Sequence, residues 1–150
     1  MDKNFNEKKE VENLFRQRQE KLTYYIIALT VTSIGFSIYN TNNVPLSYTQ
    51  IPLAIAIGCW GFSVFCGIQF LKYILSNLFA ESSYYDIIAG HHPELGNDPE
   101  KIKNAIIGLT KATKINAERG QNYSKWHYRL FYSGIILFLL WHIIEMYKIT

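Results

Sequence analysis

Three stretches of this chain, Leu22 to Tyr39, Ile51 to Leu71 and Leu130 to Tyr147, contain no Lys, Arg or Asp, and only the last contains an acid, Glu145. Runs of 18 to 21 such residues, at about 1.5 Å of rise each, reach about 27 to 31 Å as helices, which is the thickness of a bilayer's hydrocarbon core. Backbone N–H and C=O groups in lipid have no water to bond, so each run must satisfy its own polar groups by forming a helix. The expected fold class is therefore an all-α membrane protein with three long transmembrane helices.

The basic residues set the expected orientation. Six stand in the N-terminal tail (Lys3, Lys8, Lys9, Arg16, Arg18, Lys21) and eight between Lys72 and Arg129. The turn from Asn40 to Gln50 has none, and the C-terminal end has Lys148 alone. Short connections rich in Lys and Arg stay in the cytoplasm, which puts the N-terminus inside and, after three passes, the C-terminus outside. The expected location is a bacterial inner (plasma) membrane. A mean hydropathy of −0.02 conceals this, because apolar spans and polar remainder cancel. The net charge of +3 does not argue for nucleic acid, since acids are interleaved with the basic residues and membrane topology already accounts for where those residues fall. The charged tail before the first span is too long for a cleavable signal peptide, so that span is expected to stay as an anchor.

Helical signals continue past the spans. Val11, Leu14, Phe15 and Leu22 recur at helical spacing in a tail free of Gly and Pro, which predicts a first helix over about 4–40. Leu71, Ile74, Leu75, Leu78, Phe79, Tyr85 and Ile88 extend the second to about 51–89, where Gly90 and Pro93 supply a stop. Asp98, Pro99 and Glu100 give a cap, a first helical position and a first-turn acid, so the third helix is expected over about 99–147, with Gly120-Gln121-Asn122 as a point of kinking. All 150 residues then form one three-pass domain whose polar ends stand together as a cytoplasmic helical stalk. Tyr24, Tyr25, Tyr39, Tyr48, Trp126, Tyr128, Trp141 and Tyr147 fall at the predicted membrane boundaries, where rings with a polar handle are favoured.

Helices in lipid gain nothing from excluding water, so small residues mark where backbones approach. Ala54, Gly58, Cys59, Ser63 and Gly67 are the candidate helix-packing or oligomer face. Cys59 and Cys66 lie two helical turns apart, about 10 Å, too far for a disulfide between them. Thr30, Ser33 and Ser37 are candidate pore-lining residues if several copies assemble, against the competing reading that such hydroxyls bond back to the preceding turn. His142 and Glu145 are a candidate intramembrane polar pair, three residues apart on one helix face. His91, His92, Glu94 and Asp98, at the connection farthest from the membrane, are a candidate partner-binding tip. Their spacing matches no metal motif, and Lys111, Lys114, Arg119 and Lys125 suit anionic headgroups or an anionic ligand.

No G-x-S-x-G, phosphate-binding glycine loop, H-E-x-x-H or buried carboxylate pair occurs. The expectation is a non-enzymatic protein without a cofactor. It binds the bilayer, assembles as a homo-oligomer and relays a cytoplasmic signal, carried by a protein partner or an anionic ligand, to its membrane helices. A channel-like or membrane-perturbing effector is one form of this, and the outline resembles small bacterial multi-pass proteins, some of which act as effectors in antiviral defence. An accessory subunit anchoring a larger membrane complex is the alternative.

Overall fold

The computed structural model describes residues 2–41, 47–90 and 98–148. Among these the chain is helical: α1 spans Asp2–Thr41, a single 3-10 turn Tyr48–Gln50 leads into α2 at Ile51–Ile88, and α3 spans Pro99–Lys148. Each of the three helices is long and apolar enough to cross a membrane.

The helix ends follow the local chemistry. Gln50 N–H donates to the Ser47 carbonyl at 2.9 Å and closes the 3-10 turn before α2. Past the end of α2, Gly90 adopts φ +72°, the left-handed conformation that glycine takes without a Cβ penalty, and its N–H donates to the Ile87 carbonyl at 3.2 Å. At the start of α3 the Asp98 carboxylate accepts from the backbone N–H of Glu100 at 3.0 Å and Lys101 at 3.5 Å, which satisfies donors that the first turn leaves free.

Two compact units are present, Met1–Gly67 with Trp126–Thr150, and Ile68–Lys125. In the first, α1, the beginning of α2 and the end of α3 pack through buried positions spaced three, four or seven residues apart. On α2 these are Leu53, Ala56, Trp60, Ser63 and Gly67; on α1, Thr23, Ile26, Thr30 and Ser37; on α3, His127, Phe131 and Gly134. Such steps make a seam of period 3.5, the repeat that keeps one face of a helix against its neighbours when helices wind left-handedly. Ile26, Trp60 and Phe131 form the core cluster, with Ile34, Tyr128, Ile135 and Phe138 against it.

The register of α1 departs from expectation before its span. Val11, Leu14, Phe15 and Leu22 are exposed, between 49% and 69%, while Arg16, Gln19 and Glu20 are half-buried. Arg16 and Gln19 precede Thr23 and Ile26 by seven residues, so the phase set by the span continues backwards and outranks the local apolar stripe.

In the second unit two antiparallel helical segments meet through Tyr73 and Tyr123, whose rings stack with centroids 5.7 Å apart. Asn116 Nδ2 donates to Ser76 Oγ at 3.1 Å. Gly120, a candidate kink point, lies within the continuous helix α3. It is a point of close approach: a Cβ there would stand 3.2 Å from Tyr73 Cβ. The inward positions of α3 step by four twice there, from Asn116 to Gly120 to Ser124, a local insertion in the 3-4 repeat that shifts the facing side without breaking the helix.

Candidate functional site

The most specific polar arrangement within the apolar region joins α2 and α3 at Ser63 and His127, both with no exposed surface. His127 Nδ1 lies 2.8 Å from the Ser63 carbonyl oxygen, an acceptor only, so Nδ1 carries the hydrogen and donates it. Ser63 Oγ returns a bond to the His127 carbonyl at 2.8 Å and sits 3.0 Å from Nδ1. This clasp fixes the ring's orientation and leaves Nε2 buried with no partner among the described residues. A buried nitrogen left unbonded costs about 1–3 kcal/mol. The imidazole ring fits because Gly67 has no side chain: a Cβ there would lie 3.0 Å from both Cε1 and Nδ1 of His127, and 3.0 Å from Ile27 Cδ1.

Two turns of α3 further on, the contact changes from polar to aromatic. Trp60 is 2% exposed, and its Nε1–H donates to the Phe131 carbonyl at 3.3 Å. Its ring lies over Gly134, where an added Cβ would come within 2.9 Å of Cε2 and nearer still to Nε1 and Cδ1. Phe138 completes the stack at 5.7 Å, tilted by 40°. Glycine on one helix and a large ring on the other therefore set the spacing of α2 and α3, as expected where packing rather than water exclusion holds helices together.

The candidate helix-packing residues divide between two faces of α2. Ser63 and Gly67 lie on the seam, Cys59 is half-buried, and Ala54 and Gly58 are exposed. Gly58, with Gly61, Phe62 and Phe65, lines a shallow notch on the outer side, about half a turn from the seam at 100° per residue.

Thr30 and Ser37, candidates for lining a pore, are buried within the chain's own packing. Their hydroxyls donate to the carbonyls of Ile26 at 2.6 Å and Ser33 at 2.8 Å. Ser33 is half-buried and donates to Leu29 O at 2.9 Å. Each hydroxyl thus bonds the carbonyl four residues before it, and Thr23 does the same with Gln19.

Glu145 is half-buried and its Oε1 accepts from Thr49 Oγ1 at 2.7 Å, tying α3 to the turn before α2, whereas His142 is exposed beside the Trp141 ring. Of the partner-binding tip, Asp98 serves as the cap of α3, while His91, His92 and Glu94 lie outside the described residues. Among the described residues no group of three His, Cys, Asp or Glu comes together. The exposed Trp126 carries the Arg129 guanidinium 5.8 Å from its ring centroid, a pairing suited to a headgroup zone.

Sequence reasoning missed His127, Trp60 and Gly134 as contact residues. The signal was a seven-residue recurrence, Thr23-Thr30-Ser37 on α1 and His127-Gly134-Trp141 on α3, which hydropathy does not register. No known protein family, characterised protein or solved structure matches the chain.

Proposed function

We propose that this chain is a non-enzymatic three-pass protein of a bacterial inner membrane that self-associates and carries an event at its cytoplasmic helices into the bilayer. The N-terminus and the connection between α2 and α3 are inside, and the C-terminus is outside. One observation carries the reading: α2 and α3 are each unbroken over 38 and 50 residues, and each continues from a membrane-length apolar window into polar sequence. A helix without a break transmits tilt or rotation along its length, which a jointed one does not. Self-association has separate support in the exposed Ala54 and Gly58, which the chain's own helices leave uncovered. The output of such a relay is an ion leak or a bilayer disturbance, as in a defence effector.

Two measurements test this together. Single cysteines placed near residues 2 and 150 of a Cys59→Ala/Cys66→Ala protein are labelled by an impermeant maleimide in intact and opened cells, and a membrane-potential dye is followed during expression. The C-terminal cysteine labels in intact cells and the N-terminal one only after opening, and expression under an activating condition depolarises the cell. Labelling of both ends from one side overturns the topology. Unchanged potential together with co-purification of a stoichiometric unrelated membrane protein overturns the relay and supports an anchoring subunit.

A further inference from the structure

The apolar part of the bundle has a groove whose chemistry selects its occupant. It has a volume of about 300 Å³ and is lined by Thr32, Ser33 and Phe36 of α1, Trp60 of α2, and Ile135, Phe138 and Leu139 of α3. That is the lower end of the size range of small-molecule pockets. The lining includes three polar side chains, and all three are already bonded. Thr32 donates to Ala28 O at 2.9 Å, Ser33 to Leu29 O at 2.9 Å and Trp60 to Phe131 O at 3.3 Å. The backbone around the groove is α-helical and spends its own donors and acceptors on the helix ladder. An occupant with a hydroxyl, carbonyl or charge would have to bury that group unpaired, at about 1–3 kcal/mol or more.

The position of the groove narrows the choice further. Its rim is formed by Thr32, Phe36 and Leu139, all exposed, within stretches apolar enough to lie in lipid. On the reading given above, the medium meeting that rim is the acyl chains of the bilayer. Water gains nothing by entering an apolar recess without bonding partners, and an empty recess forfeits the dispersion contacts of its walls. We infer that the groove is a hydrocarbon-chain site, in which one acyl tail of a membrane lipid lies between α1 and α3 with the edge of Trp60 as its floor. This inference rests on the membrane reading of the three helices. It goes beyond that reading in assigning a ligand class and a location.

Trp60 reports on the occupant, because bromine quenches indole emission only at short range. The 150-residue chain carrying Trp126→Phe and Trp141→Phe keeps Trp60 as its one tryptophan. It is reconstituted in phosphatidylcholine vesicles with bromines at mid-chain, and compared with vesicles of the unbrominated lipid. A control protein carries Trp60→Phe in the same background together with Phe62→Trp, at a position 68% exposed.

The expected result is that Trp60, despite its 2% exposure, loses as large a fraction of its emission as the exposed control. Ser33→Phe or Ile135→Phe, which fill the groove, restore the emission while leaving the helical circular-dichroism signal unchanged. Trp60 emission unaffected by bromine while the Phe62→Trp control is quenched overturns the site and leaves the membrane reading standing. A control that is itself unquenched overturns the membrane reading. Quenching of Trp60 that persists in both filled variants shows that bromine arrives by another path, and equally overturns the site.

Discussion

Replacing Gly134 by alanine isolates the contact on which the α2 to α3 spacing depends. In a helix interior this change gains about 1 kcal/mol from backbone propensity. Against that, the new methyl would lie within 2.9 Å of Trp60 Cε2 and nearer to two further ring atoms. The indole can retreat only towards the groove that its edge floors, and doing so breaks the contacts that hold it. It is 2% exposed, bonded to the Phe131 carbonyl and packed in the cluster with Ile26 and Phe131, with Phe138 beside it. Overpacking of this kind costs about 1–3 kcal/mol, and a ring that must give up its hydrogen bond and its packing in order to move puts it near the upper value. The net expectation is a loss of about 2 kcal/mol. Three other glycines calibrate it. At Gly67 the added Cβ meets His127 and Ile27 at 3.0 Å, so relaxation by a few tenths of an ångström suffices and gain and loss nearly cancel; the larger Gly67→Leu has no such remedy and weakens the seam. At Gly58 and Gly35 nothing lies within 4 Å, so alanine leaves the protein unchanged or slightly more stable. Unfolding of the purified protein by SDS in mixed micelles, followed by circular dichroism, gives the order. In a Trp60→Leu background the space over Gly134 opens, and the Gly134→Ala penalty shrinks by a coupling of about 1–2 kcal/mol. Equal stability of the Gly134→Ala and Gly58→Ala proteins, or a Gly134→Ala penalty undiminished when Trp60→Leu accompanies it, would refute the reasoning.

Three further outcomes follow from other contacts. His127→Ala removes the donor to the Ser63 carbonyl and empties a fully buried space, so it lowers stability by about 1–3 kcal/mol in the same SDS titration. Ser63→Ala, whose hydroxyl bonds a carbonyl, loses only about 1 kcal/mol; a larger effect for Ser63 would mean that the hydroxyl, and not the ring, organises the clasp. Thr30→Val keeps the side chain's shape and loses a bond made within its own helix, so stability changes by no more than about 1 kcal/mol and any ion leak is unaltered; a fall in leak would put that hydroxyl on the conducting path. Asp98→Ala lifts the cap of α3 and weakens its first turn by about 1 kcal/mol. Faster hydrogen exchange at the backbone amides of residues 100–102, with membrane integration intact, is the expected signature.

Helix ends and helix faces differed in how far they could be read from the sequence. The ends are written in residues with special backbone chemistry: Gly90 takes the left-handed conformation after α2, and Asp98 caps a helix that begins at Pro99. Those signals act locally and need no knowledge of neighbours. The faces of the spans carry no such local mark. In a soluble helix polarity separates inside from outside, but here Ile55, exposed, and Leu53, buried, are equally apolar, so hydropathy has no contrast to report, as the membrane reading leads one to expect. What distinguishes the seam is size and shape at a period of 3.5: Ala56, Ser63 and Gly67 leave room, and Trp60 fills it. Small residues four apart make one row of Cys59, Ser63 and Gly67 and a second pair of Ala54 and Gly58; Ser63 and Gly67 lie on the seam, and Ala54 and Gly58 lie on the other side.

The same argument explains why His127 escaped notice and why it matters. Flanked by Trp126 and Tyr128 and two residues from Arg129, it reads as one more amphipathic side chain at a membrane boundary. Its neighbours do behave so, for Trp126 is exposed and pairs with Arg129. His127 turns the opposite way because seven-residue steps put it in line with Gly134 and across from Gly67. An apolar residue of similar volume would fill that space without leaving Nε2 unbonded. The imidazole instead supplies direction, since its bond to Ser63 and the bond returned by the Ser63 hydroxyl are made at one register of α2 against α3. A slip by one helical turn breaks both and drives the ring against a residue with a side chain. Where lipid rewards every apolar register about equally, a polar clasp beside a glycine makes one register preferred. On the proposed relay, that preference is what allows a displacement of the polar end of a helix to reach the membrane as motion of the whole rod.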